Sequence, residues 1–498
     1  MIGFDDSSGA PDARETHRTG VWFRNDLRVR DHAPLLEAAR RGAVTCVVCL
    51  DPRDAEPTRE RGLPRRGPWR SRFLLEALTD LRRSLRELGG ELIVRRGRPE
   101  TVLPELAREE EWTGLAYHEL VGTEEREIEG AVRASLPASC RVRTIWDRTL
   151  VAPEDLPFPV ESTPEVFTAF RKAAQADGRY EPPRERPERL EVVSKALEAG
   201  ELPTAAELGC EGVVDDERAV LRFEGGERAG HERLEQYVWR DDLLRRYKET
   251  RNGMVGADYS SKLSPWLALG CLSPRQVQAE VERYEVERVR NDSTYWLTFE
   301  LLWRDYFQLI AAKHGAALFR LDGLRGIPRP WEHDEAGFDA WCRGTTGIPM
   351  VDANMRELRL SGFVSNRGRQ IVASFLTKNL GIDWRWGAEW FESQLVDHDV
   401  ASNWGNWCYA AGVGNDARGF RYFDIATQAA KYDRRGRHAR LWCPELEPLP
   451  DRHVHAPWSL RRKERDELGF ALGRDWPEPL VDLDESVAEN RRKWEAVR

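Results

Sequence analysis

No stretch of the 498 residues approaches the ~20 apolar residues that a membrane span needs, and the N-terminus MIGFDDSSGAPDARETHRTG lacks the apolar core of a secretory leader. The expectation is a cytoplasmic protein with no membrane association. Cysteine is sparse in pattern. The eight are scattered at positions 46, 49, 140, 210, 271, 342, 408 and 443, and only Cys46 and Cys49 form a C-x-x-C. That pair lies inside the apolar run AVTCVVCL, where a strand sends residues three apart to opposite faces. Two buried strand thiols follow, with no metal site and no disulfide framework, which suits a reducing compartment. A G-x-G-x-x-G after the first strand-like run is also missing, so a dinucleotide on that turn is unsupported. Internal repeats, coiled-coil heptads and low-complexity segments are absent too.

The net charge of −9 excludes a generally basic, non-specific nucleic-acid coat. Local charge runs the other way. Between Arg418 and Arg440 there are seven Lys/Arg against two Asp, and between Asn354 and Arg385 six Lys/Arg against two acids. A basic face on an acidic body fits a steered polyanion site, although solvated helical faces paired with distant acids give the same count.

The chain is too long for one ordinary core, and two domains of roughly 100–250 residues each are the prior. From Gly20 to about Asp147 the runs VWFRN, AVTCVVCL, ELIVRRG, GLAYHE and VRTIWD alternate with amphipathic stretches such as SRFLLEALTDLRRSLRELG. Strand and helix in alternation predict βαβ units and a parallel sheet covered on both faces. The composition then turns to Pro, Glu and Ala, and EPPRERPERLEVV and GELPTAAELG read as irregular chain over the surface. Beyond Gly230 helical periodicity takes over, with most of the 19 tryptophans. The expected layout is a disordered lead at 1–18, a doubly wound α/β domain at 19–149, a connector at 150–229, an all-helical domain at 230–475 and a short C-terminal extension at 476–498.

Residues 362 to 423 hold the densest chemistry, with GFVSNRGRQ, IDWRWGAEWF and LVDHDVASNWGNWCYAAGVGNDARGFRYF. Asn366 and Arg369 are spaced i, i+3 and share a helix face. Asp397, Asp399 and Asn403 lie in apolar context, where unpaired carboxylates are costly. Salt bridges among these groups account for them. So does an Arg–Asp pair beside a flavin ring, with Asn403 facing its redox-active nitrogen. Upstream, Ser260 and Ser261 precede a helical run starting near Ser264-Pro265. Such a place serves as an anion site for a pyrophosphate or as a plain cap followed by proline. Trp331, Trp384 and Trp407 taken singly read as core filling.

The segments WFRNDLRVRDHAPL, DLPFPVESTPEVFTAFRK, YKETRNGMVGADYSSKLSPWLALGCLSP, TGIPMVDANMREL and SGFVSNRGRQIVASFLTKNLG resemble the photolyase/cryptochrome flavoproteins, most closely their DASH-type branch. The resemblance runs from about Val21 to Pro448. It implies FAD contacts at Tyr247, Ser260, Ser261, Leu263, Ser264, Asn366, Arg369, Asp397, Asp399 and Asn403. It implies an electron-transfer chain through Trp407, Trp384 and Trp331, and a lesion pocket lined by Glu300, Trp303, Asn366, Arg367, Trp407 and Tyr409. Arg421 and the Arg434 to Arg440 cluster become candidates for phosphate contacts. The implied activity is light-driven electron transfer from reduced FAD to a cyclobutane pyrimidine dimer, which splits it and returns the electron. Tyr409 replaces the Trp of duplex-repairing bacterial photolyases, so the expected substrate is a dimer in single-stranded or looped DNA, where flipping costs least. A blue-light photoreceptor without repair and a conventional duplex photolyase are the alternatives. HELVGTEERE resembles the antenna segment, which makes Glu119 and Glu124 candidates for holding 5,10-methenyltetrahydrofolate. The protein is expected to act as a monomer.

Overall fold

The structure, a computed structural model, describes residues 17–194, 196–416 and 419–497. Five strands form one parallel sheet: β1 (His17–Phe23), β2 (Gly42–Leu50), β3 (Leu92–Arg96), β4 (Gly114–His118) and β5 (Arg141–Ile145), in the order β3-β2-β1-β4-β5. Helices Ala33–Arg41, Pro68–Glu87, Pro99–Glu109 and Thr123–Ser135 make the crossovers. Parallel neighbours require such crossovers, and reversing the winding direction at β1 puts helices on both faces. The five apolar runs of the sequence are the five strands. Of the expected disordered lead, residues 1–16 lie outside the described residues, while His17 and Arg18 open β1 and pair with Gly42 and Ala43.

Each face of the sheet has its own core. Val21, Phe23, Val44, Cys46 and Val48 pack toward the long helix Pro68–Glu87 and onward to Tyr237 and Leu302 of the helical part. Trp22, Val47, Ile93, Trp112 and Leu115 form the other core, and Cys49 packs there. Cys46 and Cys49 therefore point to opposite faces, as strand geometry requires. Cys46 is buried as expected, whereas Cys49 is only half-buried, yet burial pushes both thiols up to about 12. All eight cysteines are free.

The proline-rich stretch after β5 is held by backbone bonds. Leu190 N–H donates to Leu88 O, Val192 bridges Val44, and Val94 N–H donates to Ala199 O. One regular helix, Phe167–Asp177, interrupts this otherwise irregular stretch. Past Gly226 the chain is helical, and the described residues there add only two isolated bridges, Glu332 with Ile382 and Leu472 with Trp476.

Buried charge joins the two parts. Arg275 opens helix Pro274–Glu287 and reaches back to Asp31 at 2.9 Å and to Asp147. Arg184 lies 2.8 Å from Asp147, and its N–H donates to Asp31. Burial alone would raise the Asp147 carboxyl, but the His118 contact and Arg275 together hold it well below the usual carboxylate range. Glu227 accepts from Val29 N and Arg30 N, and Arg28 donates to Gly270 O. On the other side of the interface Asp305, fully buried, accepts from Leu150 N and Val151 N.

Candidate functional site: a flavin cleft and its aromatic wall

Helix Asn366–Ser374 starts where Ser365 accepts from Gly368 N, which satisfies one orphan amide of the first turn. One turn on, Arg369 donates to both oxygens of Asp397 at 2.8 and 3.0 Å. The carboxylate is 2% exposed and the arginine side chain 26%, so the pair presents its cationic edge outward from the buried acid. Charge-assisted bonds of this kind are about twice as strong as neutral ones.

Two residues later, Asp399 caps helix Val400–Ala411 by accepting from Ser402 N at 2.8 Å. Gln308 also donates to it at 2.9 and 3.0 Å, and Arg148 of the α/β part lies 3.6 Å away. Burial raises its pKa, yet the Arg304 and Arg148 charges and the Ser402 bonds bring it below the ordinary value. Asp399 thus ties three segments together, a role the sequence does not display. Asn403, on the next turn, donates Nδ2 to Ala388 O, and among the described residues its Oδ1 accepts no hydrogen bond.

The loop before helix Ser264–Ala268 is turned outside in. Arg233 holds the carbonyls of Ser260 and Ser261 at 3.2 and 3.0 Å, and Lys262 sits at φ +54°. Leu263 stands at the cap position and makes no side-chain cap, so neither serine is consumed as one. Among the described residues no backbone amide from 260 to 263 finds a partner. Lys262 donates to Ala257 O and lies 3.3 Å from the ring centre of Tyr259; burial pulls its amine down to about 6. The Tyr259 hydroxyl is buried with no hydrogen-bond partner among the described residues and lies in the fields of Glu357 and Arg369, which places this loop beside helix Asn366–Ser374. Tyr247 is buried, with its ring edge-on to Tyr237 at 6.4 Å. Free amides and two serine hydroxyls, a guanidinium and an uncommitted amide oxygen are what a flavin's pyrophosphate and ring edge need, so these residues fit FAD.

Trp407 and Trp384 are buried, and Trp331 is half-buried. Trp407 packs edge-on to Phe391 at 5.0 Å and Trp341 at 6.1 Å. Gly387 is required beneath it, since a Cβ there would meet the Trp407 ring at 2.3 Å. Trp384 contacts Trp404 at 5.8 Å and donates Nε1 to Leu321 O, while Trp331 contacts Trp494 at 6.0 Å. The last contact comes from helix Leu483–Glu495, inside the stretch read as a short extension.

A second wall is aromatic and basic. Trp303 meets Tyr409 edge-on at 5.9 Å, and the Arg421 guanidinium lies 5.9 Å from Tyr409 and 4.5 Å from Phe423. Arg367 follows, 5.7 Å from Phe423 and 4.6 Å from Tyr432, donating to Asn252 Oδ1 at 3.0 Å; burial lowers its pKa. Asn366 is exposed. Glu300 is ion-paired with Arg251, and burial nonetheless raises its pKa. Arg251 and Asn252 escaped the sequence reading, although YKETRNG carries both.

The basic cluster divides. Arg434, Arg435 and Arg437 are exposed and make no ion pair among the described residues, whereas Arg440 is bound to Asp451 at 3.1 Å and Arg421 to Asp416 at 3.5 Å. As phosphate contacts, Arg440 and Arg421 therefore start from an existing partner. Asp424 caps helix Ile425–Tyr432 through Thr427 N. On the α/β part Glu119 is half-buried and raised in pKa by burial, and Glu124 is exposed and ion-paired with Arg65.

Two family models match, the DNA photolyase model over residues 19–188 and the FAD binding domain of DNA photolyase over residues 296–496. With this sheet, this helical part and these matches, the chain belongs to the photolyase/cryptochrome family of flavoproteins, and its helical part is the family's FAD-binding domain. It is 55% identical over 479 residues to a Cryptochrome DASH of Gloeobacter violaceus, covering 96% of this chain and 95% of that one. A Synechocystis sp. cryptochrome structure matches with TM-score 0.93 at 49% identity, over 96% of this chain and 100% of that one. A class III photolyase from Agrobacterium tumefaciens matches with TM-score 0.82 at 28% identity, over 98% and 99% of the two chains. Within the family its likeness is to the Cryptochrome DASH group.

Proposed function

We propose that this chain is a light-driven, FAD-dependent lyase that splits cyclobutane pyrimidine dimers in single-stranded or looped DNA. The observation that carries the reading is the continuous wall Trp303, Tyr409, Arg421, Phe423 and Arg367, with Glu300 at its side. Flat apolar surfaces beside cations suit bases that have left the stack and the phosphates that follow them. Bound FAD supplies the photoexcited electron. Glu300 accepts hydrogen bonds from the flipped bases once Arg251 shares its carboxylate with them. Trp303 and Tyr409 exclude water from one side of the pair, and Asn366 and Arg367 line the other. Arg434, Arg435 and Arg437 hold the strand by its phosphates. With FAD bound, Trp407, Trp384 and Trp331 would be the residues that relay electrons between it and the surface. Tyr409 offers less stacking surface than a Trp, which favours substrates that need no duplex opening.

The proposal extends to a 5,10-methenyltetrahydrofolate antenna near Glu119 and Glu124, and to a monomer working in the cytoplasm. Among the described residues no helix is long and apolar enough to cross a membrane. The test is repair under blue light by the reduced protein, comparing single-stranded with duplex oligonucleotides at fixed salt, because phosphate binding is salt-sensitive. Repair confined to the single strand supports the proposal; equal repair makes it a duplex photolyase. No repair of either sinks the lyase reading and leaves photoreception, which the tryptophan positions also serve.

A further inference from the structure

The connector takes part in the aromatic wall. Phe167, first residue of helix Phe167–Asp177, stacks face to face on Trp303 with ring centres 3.6 Å apart and planes 10° from parallel. Phe299 and Tyr306 hold the Phe167 ring from its edges at 5.3 and 5.6 Å, and the residue is 7% exposed. The chain just before it is tied down twice over. Lys313 donates to Thr163 O at 2.8 Å, and Tyr306 donates its hydroxyl to Glu165 O. The Glu165 carboxylate meets Lys313 at 2.5 Å, His314 at 3.1 Å and Asn415 Nδ2 at 2.5 Å. Lys313 and His314 belong to helix Asp292–His314, which carries Glu300 and Trp303, whereas Asn415 follows the helix that carries Tyr409. Residues 163–167 thus strap together the two elements on which the wall is built.

We propose that Phe167 is a positioning residue for lesion recognition, acting through Trp303, and that residues 163–167 set the separation between Trp303 and Tyr409. The inference rests on the dimer-binding reading of that wall. Phe167 covers one face of the indole and Phe307 stacks nearby with ring centres 5.6 Å apart, so a flipped base meets the part of Trp303 turned toward the edge-on Tyr409. An indole has two soft torsions, and a covered face removes most of that freedom before DNA arrives; a pocket ordered in advance binds more tightly. Among the described residues the ring partners of Phe167 are Phe170, Phe299, Trp303 and Tyr306, and none of these is a tryptophan assigned to electron transfer, so its effect falls on binding.

The experiment uses the full-length, FAD-loaded, reduced protein labelled with 5-fluorotryptophan, with W303F to assign the Trp303 resonance. Wild type, F167A, F167L and E165Q are compared for binding a single-stranded oligonucleotide carrying one thymine dimer, for single-turnover repair at saturation, and for the rate of flavin photoreduction. The expected result for F167A is binding weakened about tenfold, the order of one lost base-stacking surface, with saturated repair and photoreduction within about twofold of wild type. Its Trp303 fluorine resonance shifts as the stacked ring is lost, and F167L, which restores apolar volume, recovers most of the binding. E165Q, which loosens the strap without opening the core, weakens binding in the same direction and covers the case in which F167A does not fold. Unchanged binding in F167A with an unmoved Trp303 resonance overturns the proposal, as does a loss in photoreduction with binding intact. If wild type binds no dimer, the lyase reading fails by itself, and the fluorine shift still decides whether Phe167 positions Trp303.

Discussion

Replacing Arg275 with Gln tests the buried charge that joins the two parts. The Arg275 side chain is 2% exposed, and the two carboxylates it serves, Asp31 and Asp147, are 0% and 3% exposed. Stranding buried carboxylates typically costs ~3–5 kcal/mol. Arg184 still lies 2.8 Å from Asp147, so the lower end, about 3 kcal/mol, is the expectation here. At about 2–4 °C per kcal/mol for domains of this size, the melting temperature falls by roughly 6–12 °C. Circular dichroism on heating, followed alongside flavin fluorescence as FAD leaves, reads the change. Acid separates the mechanism from generic damage. Asp147 is held well below its unfolded value, so its stabilisation is present above about pH 3.9 and is lost as pH falls through the lower folded value. The difference between wild type and R275Q therefore narrows at strongly acid pH. Adding D31N to R275Q removes the carboxylate that Arg184 reaches only at 3.9 Å and should recover about half of the loss. The reasoning is refuted if R275Q melts within about 2 °C of wild type, or if D31N in that background recovers nothing.

Three further outcomes follow from the cleft and the sheet. W407F slows flavin photoreduction at least tenfold, by transient absorption, while dimer repair by chemically reduced protein persists; loss of both would show that Trp407 does more than relay electrons. D397N leaves Arg369 without its partner and weakens FAD retention by about 10–100-fold in equilibrium dialysis, the scale of one charge-assisted hydrogen bond, and unchanged retention would remove the pair from the flavin site. His32 is fully buried against Asp26, and burial lowers its pKa to about 4. A folded pKa below the unfolded one means stability that is full above about pH 6.5 and shrinks as pH falls, so the margin of wild type over H32Q narrows by about 2 kcal/mol between pH 6.5 and 5. A margin independent of pH in urea titrations would contradict that assignment.

The tryptophan at position 303 shows where reading the chain stops. Its place on a long helix follows from STYWLTFELLWRDYFQLIAAKHG, whose periodicity predicts the helix observed over Asp292–His314. That its face would be covered by a phenylalanine from a proline-rich stretch 136 positions earlier has no local signal. Asp399 is similar. Its spacing from Asp397 and Asn403 marks it as chemistry-bearing, yet the Gln308 and Arg148 contacts that engage it are set by packing. In the basic stretch near the C-terminal end, counting charges cannot tell Arg434 and Arg437, which are exposed, from Arg440, which Asp451 has taken.

What the chain by itself determined is local and periodic. Alternating β-rich and amphipathic runs specify five strands with crossover helices, helical periodicity specifies helix Asp292–His314, and distributed motifs specify the family. These depend on backbone sterics and on which face of an element is apolar, and both are written within a few residues of each other. Only the tertiary structure decided that Arg275 neutralises Asp31 and Asp147, that Arg233 turns the Ser260–Ser261 loop toward the cleft, and that the connector straps Trp303 in place. Each joins groups from separate elements, and the energy of such a contact depends on shared burial that exists only once those elements have packed.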